Sequence, residues 1–479
     1  MKVGKKQIYI IVLELCAFLC SALYLGLYGS SLTFAKYSRF GVVVLLLDLV
    51  LFCIAQKRIV TIQTLFLMLF VLFQFGLPIV YAFNPKHYNF YMTLFSEKTL
   101  ISAVKYTIFA IQTYIIIATC VISNRNHAEK KGKVGKWTRT ILTHPRDVED
   151  AALLLFIVTA IVAVPVNLWS AVRALTAGVA IGNLYRGAMA ANGLTRFLQE
   201  FFFSSALLYL CFSNKKKRKK VVIAVYLVVA LSMVLVADRS GGVTALIVCA
   251  LYYYYTGDKR KRKKNTLVLI GVGVVLAIVS SAVASIRSGE SSQSGISLLF
   301  SALEEMGFNF TSLCFVMDYI PSRTSYRLGM SYIVALILLI PKSLGLGAVY
   351  PKLQSYLGET WLWNANNLYG RDFLSFGVGF SMIAESYYNF SWCGLVVMIP
   401  LAVIITHLLK EKNFENAWSL YIRLALMLSF FTVPRRQFQS VIKAIEYSVF
   451  FMALYLLVYI GTKRKDKCNE TANDINRGI

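Results

Sequence analysis

The chain has 479 residues, of which 57% are hydrophobic and 15% charged, and its formal net charge is +27. A soluble domain carries roughly 25% charged residues, so the composition excludes an ordinary water-soluble protein. The basic residues are concentrated in short blocks between apolar runs, at 2–6, 130–136, 215–220, 259–264 and 463–467. This placement is typical of a membrane protein that follows the positive-inside rule, and it argues against binding to nucleic acid.

Apolar runs recur along the whole chain, and about 20 apolar residues in a helix cross a bilayer. The runs predict spans at 8–28, 39–56, 59–83, 99–122, 150–170, 197–213, 221–237, 242–256, 266–285, 390–409, 417–433 and 441–461. Each span must be a helix, because an open strand would leave backbone groups unpaired in lipid. We therefore predict an all-α, polytopic protein with about 12 spans (12–14), made of one transmembrane domain (1–461) and a cytoplasmic tail (462–479).

The charge clusters predict the orientation of these spans. Placing both termini in the cytoplasm puts the dense clusters NKKKRKK and GDKRKRKKN on the cytoplasmic side, as the charge bias requires. Residues 286–389 then form one external segment, far longer than ordinary connections. It contains apolar patches at 297–320 and 331–347, which we expect to lie on the outer surface as amphipathic helices, to form re-entrant helices, or to span as a pair.

Arginine is prominent on the predicted external side, whereas lysine dominates the predicted cytoplasmic side. These arginines are Arg173, Arg186, Arg196, Arg239, Arg287, Arg323, Arg327, Arg371, Arg435 and Arg436. The planar guanidinium group matches phosphate oxygens, and positive charge outside opposes the topology bias, so a diphosphate ligand at the outer leaflet is predicted. Arg186, Arg287, Arg371, Arg435 and Arg436 are the candidate substrate-binding residues; each has the alternative of a solvated loop charge or an interfacial anchor.

Two residues are candidates for catalysis. Arg239 lies in ADRSGG at the tip of a tight hairpin between apolar runs, so we expect it at the outer membrane surface; alternatively it snorkels or pairs with Asp238. Glu385 lies in an uncharged run near the outer end of a span. Desolvation there disfavours its charged form, which suits a group that accepts a proton from a sugar hydroxyl. The alternative is a structural pair with a nearby arginine.

Other polar residues have less specific interpretations. Three charged residues lie within predicted spans: Glu14, Asp48 and Arg423. They are interpreted either as structural pairs between helices or as an ion-coupling pathway of a transporter. Glu304 and Glu305 suggest the polar face of an amphipathic helix. Of the four histidines only His87 falls on the external side, so no histidine-based catalytic pair is expected. Neither a nucleotide-binding motif nor a metal-binding cysteine pattern is present, so no cofactor and no metal is predicted.

Three short motifs resemble the Wzy-type oligosaccharide repeat-unit polymerases of bacterial capsule, exopolysaccharide and O-antigen assembly. They are ADRSGG, the segment around Pro341 and Lys342, and IAESYYNFSWCG at 383–394, and the resemblance covers residues 150–479. It implies a donor glycan on undecaprenyl pyrophosphate at the outer face of the bacterial cytoplasmic membrane. External arginines would bind the leaving diphosphate, at the positions Arg239, Arg287, Arg371, Arg435 and Arg436. A related ligase group uses a histidine in its large external loop, which this sequence lacks.

The resemblance also implies partners. They are the lipid-linked oligosaccharide, membrane lipid, and a flippase and a chain-length regulator of the same pathway. The main alternative is that the chain is itself a flippase or transporter of lipid-linked oligosaccharide, which would use a basic cavity without chemistry. A non-catalytic scaffold for glycan assembly is a third possibility. The candidate charges lie at the outer ends of the spans rather than at the midplane typical of transporters, which favours the polymerase.

Overall fold

The computed structural model describes residues 5–27, 33–56, 61–123, 145–176, 193–235, 239–257, 271, 296–340, 347–369, 379–409 and 417–477. All regular structure in these ranges is helical. The α-helices are α1 (Lys5–Leu27), α2 (Phe34–Gln56), α3 (Ile62–Phe83), α4 (Glu97–Ser123), α5 (Pro145–Thr176), α6 (Gly193–Phe212), α7 (Lys216–Leu235), α8 (Arg239–Thr256), α9 (Ile296–Gly307), α10 (Phe310–Tyr319), α11 (Met330–Ile337), α12 (Tyr350–Gln354), α13 (Gly358–Tyr369), α14 (Met382–Phe390), α15 (Met398–Leu408), α16 (Ala417–Phe430) and α17 (Phe438–Arg477). Short 3₁₀ helices cover Phe90–Leu94, Ser391–Val397 and Val433–Arg435.

Eight helical segments among the described residues are long and apolar enough to cross a membrane. They are Lys6–Leu27, Phe34–Gln56, Ile62–Phe83, Glu97–Ser123, Val148–Arg173, Met382–Leu408, Ala417–Arg435 and Phe438–Thr462. Each overlaps a predicted span, so the all-helical, multi-pass architecture is confirmed. The segment Met382–Leu408 begins before the predicted boundary at residue 390. Glu385 therefore lies inside this segment rather than ahead of it.

The other four predicted spans do not correspond to helices among these eight segments. The spans at 197–213 and 242–256 correspond to shorter apolar helices, Leu198–Phe212 and Gly241–Thr256. The span at 221–237 overlaps α7, whose first turn is a run of basic residues. The predicted span at 266–285 falls outside the described residues apart from residue 271. A total of 12 spans therefore stays a prediction.

The apolar patches of the predicted external segment form short helices. α9, α10 and α11 have 12, 10 and 8 residues, and about 20 are needed to cross the hydrocarbon core, so none of the three crosses alone. α9 packs against the long helix α3, and α10 packs against the long helix α4 and the short helix α14. Gly76 and Gly307 meet where α9 crosses α3, and a Cβ on Gly76 would lie 2.7 Å from the carbonyl oxygen of Leu303. Small residues allow such close helix contacts in membranes.

The chain divides into two compact units. The first comprises Met1–Lys131, Gln293–Glu411 and Phe430–Lys443, and the second Gly132–Ser292, Lys412–Ser429 and Ala444–Ile479. Within the first unit, α2, α3 and α4 pack on one another around buried rings such as Phe70 and Tyr114. Within the second, α5 packs on α6 and α7 on α8. The predicted candidate residues are thus divided between two units.

Candidate functional site

The adjacent arginines Arg435 and Arg436 lie on a tight turn between α16 and α17. Pro434 fits the start of the 3₁₀ turn Val433–Arg435, because proline presets the helical φ and has no N–H to satisfy. Gln74 of α3 donates a hydrogen bond from its side-chain amide to the carbonyl of Pro434. The Arg435 guanidinium lies over the ring of Phe73, 5.7 Å from its centroid. Arg435 is half-buried and Arg436 exposed, so the turn presents positive charge from a fixed backbone.

Glu385 is fully buried directly behind this turn, at 0% exposure. Its Oε2 accepts a hydrogen bond from the backbone N–H of Phe438 at 2.5 Å, and its Oε1 accepts one from the hydroxyl of Ser331 at 2.7 Å. The side-chain amide of Asn389 donates to that serine oxygen at 2.7 Å, so the hydroxyl proton of Ser331 points to Glu385. Both carboxylate oxygens are therefore engaged, and one of them fixes the first residue of α17.

These contacts make α14 the support of the arginine turn. α14 is buried from Met382 to Asn389, and this stretch includes Glu385 and Tyr388. Gly379, just before α14, also touches the turn. A Cβ on Gly379 would lie 3.1 Å from the carbonyl oxygen of Arg435 and 2.8 Å from Oδ1 of Asn309. The close approach of these backbones explains why glycine suits this position.

The same helix holds a further arginine that the sequence analysis did not select. Arg327 donates from Nε to the hydroxyl of Tyr388 at 2.9 Å. Its guanidinium carbon also lies 5.7 Å from the ring centroids of Tyr388 and of Tyr356. Only its predicted external position marked Arg327 in the sequence, and its tyrosine partner lies 61 residues further along the chain. A guanidinium held this way over aromatic rings keeps its charge while its orientation is fixed.

The remaining predicted site residues are not brought to this turn by the described structure. Arg239 is the first residue of α8 in the second unit, and its side chain is outside the description. Arg186, Arg287 and Arg371 lie outside the described residues. Of the seven candidates, the structure therefore unites Glu385, Arg435 and Arg436, and the roles of all seven stay predictions.

A histidine–glutamate pair lies elsewhere in the first unit. His87 Nε2 lies 2.8 Å from Oε2 of Glu304, and the two side chains are 22% and 26% exposed. Asn89 donates from its side-chain amide to the other carboxylate oxygen of Glu304. The edge of the Tyr81 ring meets the His87 ring at a centroid distance of 5.8 Å. The sequence did not indicate this contact, because the partners are 217 residues apart and hydrophobic periodicity does not reveal such contacts.

Two other acidic residues within spans of the first unit, Glu14 and Asp48, are linked to neutral side chains of α4. Glu14 accepts from the hydroxyl of Thr119 at 2.8 Å, and Asp48 accepts from the amide of Gln112 at 3.1 Å. These hydrogen bonds join α1 and α2 to α4, as the structural alternative expected. In the part of the chain that the structure describes, no three metal-binding side chains cluster.

Together these features define a multi-pass α-helical membrane protein with paired arginines on a turn that a buried carboxylate supports. Comparison with protein families then makes the assignment specific. The family model of the O-antigen polysaccharide polymerase Wzy matches residues 7–467, nearly the whole chain. The chain therefore belongs to the O-antigen polysaccharide polymerase Wzy family. No curated protein and no solved structure matches it.

Proposed function

We propose that the protein joins oligosaccharide repeat units carried on undecaprenyl pyrophosphate, at the outer face of the bacterial cytoplasmic membrane. The family match over residues 7–467 is the observation that carries this proposal. In the reaction, a hydroxyl oxygen of one lipid-linked unit bonds to the anomeric carbon of the other glycan. The bond between that carbon and the phosphate oxygen breaks, and the lipid diphosphate leaves. This bond supplies the energy, so no nucleotide is needed.

Arg435 and Arg436 would stabilise the diphosphate as negative charge develops on it. Fixed guanidinium groups act best where they need no reorganisation during the reaction. The turn that carries them is held from three directions, by Gln74, by Glu385 and by the Gly379 backbone contact. Preorganisation of this kind supports a binding role. Arg239, Arg186, Arg287 and Arg371 remain proposed contributors, each to be tested separately.

Glu385 has two proposed contributions. The sequence predicts a proton acceptor for the attacking hydroxyl. The contacts support a positioning role, since both oxygens already accept hydrogen bonds and the side chain has no exposed surface. To accept a proton from substrate, Glu385 would first have to become exposed to it, because its side chain has no accessible surface.

The finer features of the architecture belong to the same proposal. We place both termini in the cytoplasm, 12 spans across the membrane and residues 286–389 on the outer side, because this arrangement keeps the dense basic clusters inside. A flippase that delivers the lipid-linked units and a regulator of chain length are the proposed protein partners. The polymer is an O-antigen, a capsule or an exopolysaccharide.

The second candidate is a flippase for the same lipid-linked glycans. Glu14 and Asp48, both almost completely buried within spans, favour it, because acidic residues inside membranes often mark ion pathways. Their hydrogen bonds to Thr119 and Gln112 support the structural interpretation instead, so the polymerase leads.

Analysis of lipid-linked intermediates in cells that lack the gene separates the two functions. Loss of a polymerase leaves single repeat units at the outer face, whereas loss of a flippase traps them at the cytoplasmic face. Complementation with Arg435→Ala/Arg436→Ala should fail to restore polymer at normal protein level. The matched control is Arg218→Ala, because Arg218 is an exposed arginine at the start of α7. This variant should restore the polymer. Intermediates trapped inside would contradict the proposed function.

A further inference from the structure

The proposed reaction releases a hydroxyl proton, and the group best placed among the described residues to accept it is not Glu385. Glu385 has 0% exposure and two hydrogen bonds from protein donors. His87 is instead partly exposed and lies on the 84–89 loop between α3 and the 3₁₀ helix Phe90–Leu94. We propose that His87 accepts the proton of the acceptor sugar's hydroxyl and that Glu304 is the residue that positions it. This inference rests on the proposed function.

The hydrogen bonds around the pair define which nitrogen is available. A carboxylate only accepts hydrogen bonds, so the 2.8 Å contact has His87 Nε2–H donating to Glu304. The neutral ring then carries its lone pair on Nδ1. The second oxygen of Glu304 accepts from the Asn89 amide, which fixes the carboxylate in turn. Hydrolase triads also orient a histidine base with a carboxylate, although there the carboxylate accepts from Nδ1–H and Nε2 is the base.

Two chains of contacts through the first unit connect the pair to the arginine turn. Along α3, Phe73 lies under Arg435 and Tyr81 against His87; eight helical residues rise about 12 Å. Glu304 lies on α9, and Asn309, five residues further along and just before α10, meets Gly379 beside the carbonyl of Arg435. In the proposed complex the substrate spans this separation, with its anomeric carbon towards the histidine and its phosphates on the arginines.

The proposed step is balanced. The hydroxyl oxygen forms its bond to the anomeric carbon as its proton moves to Nδ1 of His87. The bond from that carbon to the phosphate oxygen breaks, and the diphosphate keeps the electron pair. Glu304 stabilises the resulting imidazolium through the Nε2–H hydrogen bond. The imidazolium then loses its proton to water before the next cycle.

Polymerisation by the purified full chain tests this role, with lipid-linked repeat units extracted from cells that lack the gene as substrate. His87→Gln should slow polymerisation by roughly 10²–10⁴-fold, the usual contribution of a general base. Added imidazole should restore part of the rate to His87→Ala. His407→Gln is the matched control, because His407 is an exposed histidine at the end of α15, and it should behave as wild type.

The pH dependence gives a second measurement that a merely structural pair would not change. Glu304 and Tyr81 are the titratable groups in the described contacts of His87. The pH profile of the wild-type rate should differ from that of His87→Gln, because the variant lacks the proposed proton acceptor. Glu304→Gln should also alter the profile, since the neutral amide no longer stabilises the imidazolium.

The outcomes separate the two levels of inference. Wild-type rate and wild-type pH profile in His87→Gln would overturn the role of His87 and leave the polymerase standing. If His87→Gln does not fold, an unchanged pH profile in Glu304→Gln overturns it equally. A wild-type protein that forms no polymer from these substrates, while reconstituted vesicles translocate them, would overturn the proposed function itself.

Discussion

Replacing Glu385 by glutamine tests whether its buried carboxylate positions the arginine turn. Glutamine keeps one acceptor oxygen and gains an NH₂ group. If the NH₂ faces Phe438, two donors oppose each other. If it faces Ser331, the serine oxygen, which already accepts from Asn389, receives a second donor and its own proton loses its acceptor. In either orientation one buried donor is left unsatisfied, which costs about 1–3 kcal/mol.

That cost predicts the size of the functional loss. At 1.36 kcal/mol for each factor of ten, displacement of the turn should slow polymerisation by between about 5- and 150-fold. The melting temperature in detergent, followed by size-exclusion chromatography, should fall in parallel. Ser331→Ala removes one donor to Glu385 but keeps the carboxylate, so it should show a smaller loss of the same kind.

The double variant completes a mutant cycle. Because the two side chains share a hydrogen bond, the losses of Ser331→Ala and Glu385→Gln should be strongly non-additive. The positioning role is refuted if Glu385→Gln abolishes polymerisation at an unchanged melting temperature while Ser331→Ala is normal. That pattern would instead support the sequence-based prediction that Glu385 accepts the proton.

Three further predictions concern the helix contact, the added arginine and the topology. A Cβ on Gly307 would collide with the backbone of Gly76 and Leu77, so Gly307→Ala should lower stability by about 1–3 kcal/mol, measured as a lower melting temperature; an unchanged value would disprove the close contact. Arg327→Ala should shorten the polymer in a gel ladder more than Tyr388→Phe, which removes only the hydrogen bond that orients Arg327. Ladders of wild-type length from both variants would show that Arg327 does not contribute to polymerisation. Arg436→Cys in a cysteine-free background should react with an impermeant maleimide in intact cells. Labelling of this cysteine only after lysis would place the arginine turn on the cytoplasmic side and contradict the predicted topology.

The sequence was sufficient for features that depend on local composition. Runs such as those of α3 and α4 are long and apolar, and a bilayer allows only helices for them, so the multi-pass fold was predictable. The tight turn at Pro434 was also visible, because proline and the charged pair interrupt two apolar runs. The ends of the spans were harder to predict. The 3₁₀ segment Ser391–Val397 joins α14 to α15, so the helical segment begins at Met382 instead of residue 390. No change in composition marks this earlier start.

The contacts that define the candidate site could not be predicted from the sequence. Glu385 meets residues 54 and 53 positions away, and His87 meets one 217 positions away. Hydrophobic periodicity reports which face of a helix is buried, not which helix covers it. Glu304 was therefore interpreted as part of a polar helix face, although its carboxylate is held by His87 and Asn89.

Polymerisation by purified protein is the most direct test of the central claim that the paired arginines bind a leaving diphosphate. Wild-type protein given lipid-linked repeat units should produce a ladder of polymer and release one lipid diphosphate for every bond formed. Arg435→Ala/Arg436→Ala, at wild-type melting temperature, should produce neither. A full ladder from the double variant would contradict the account.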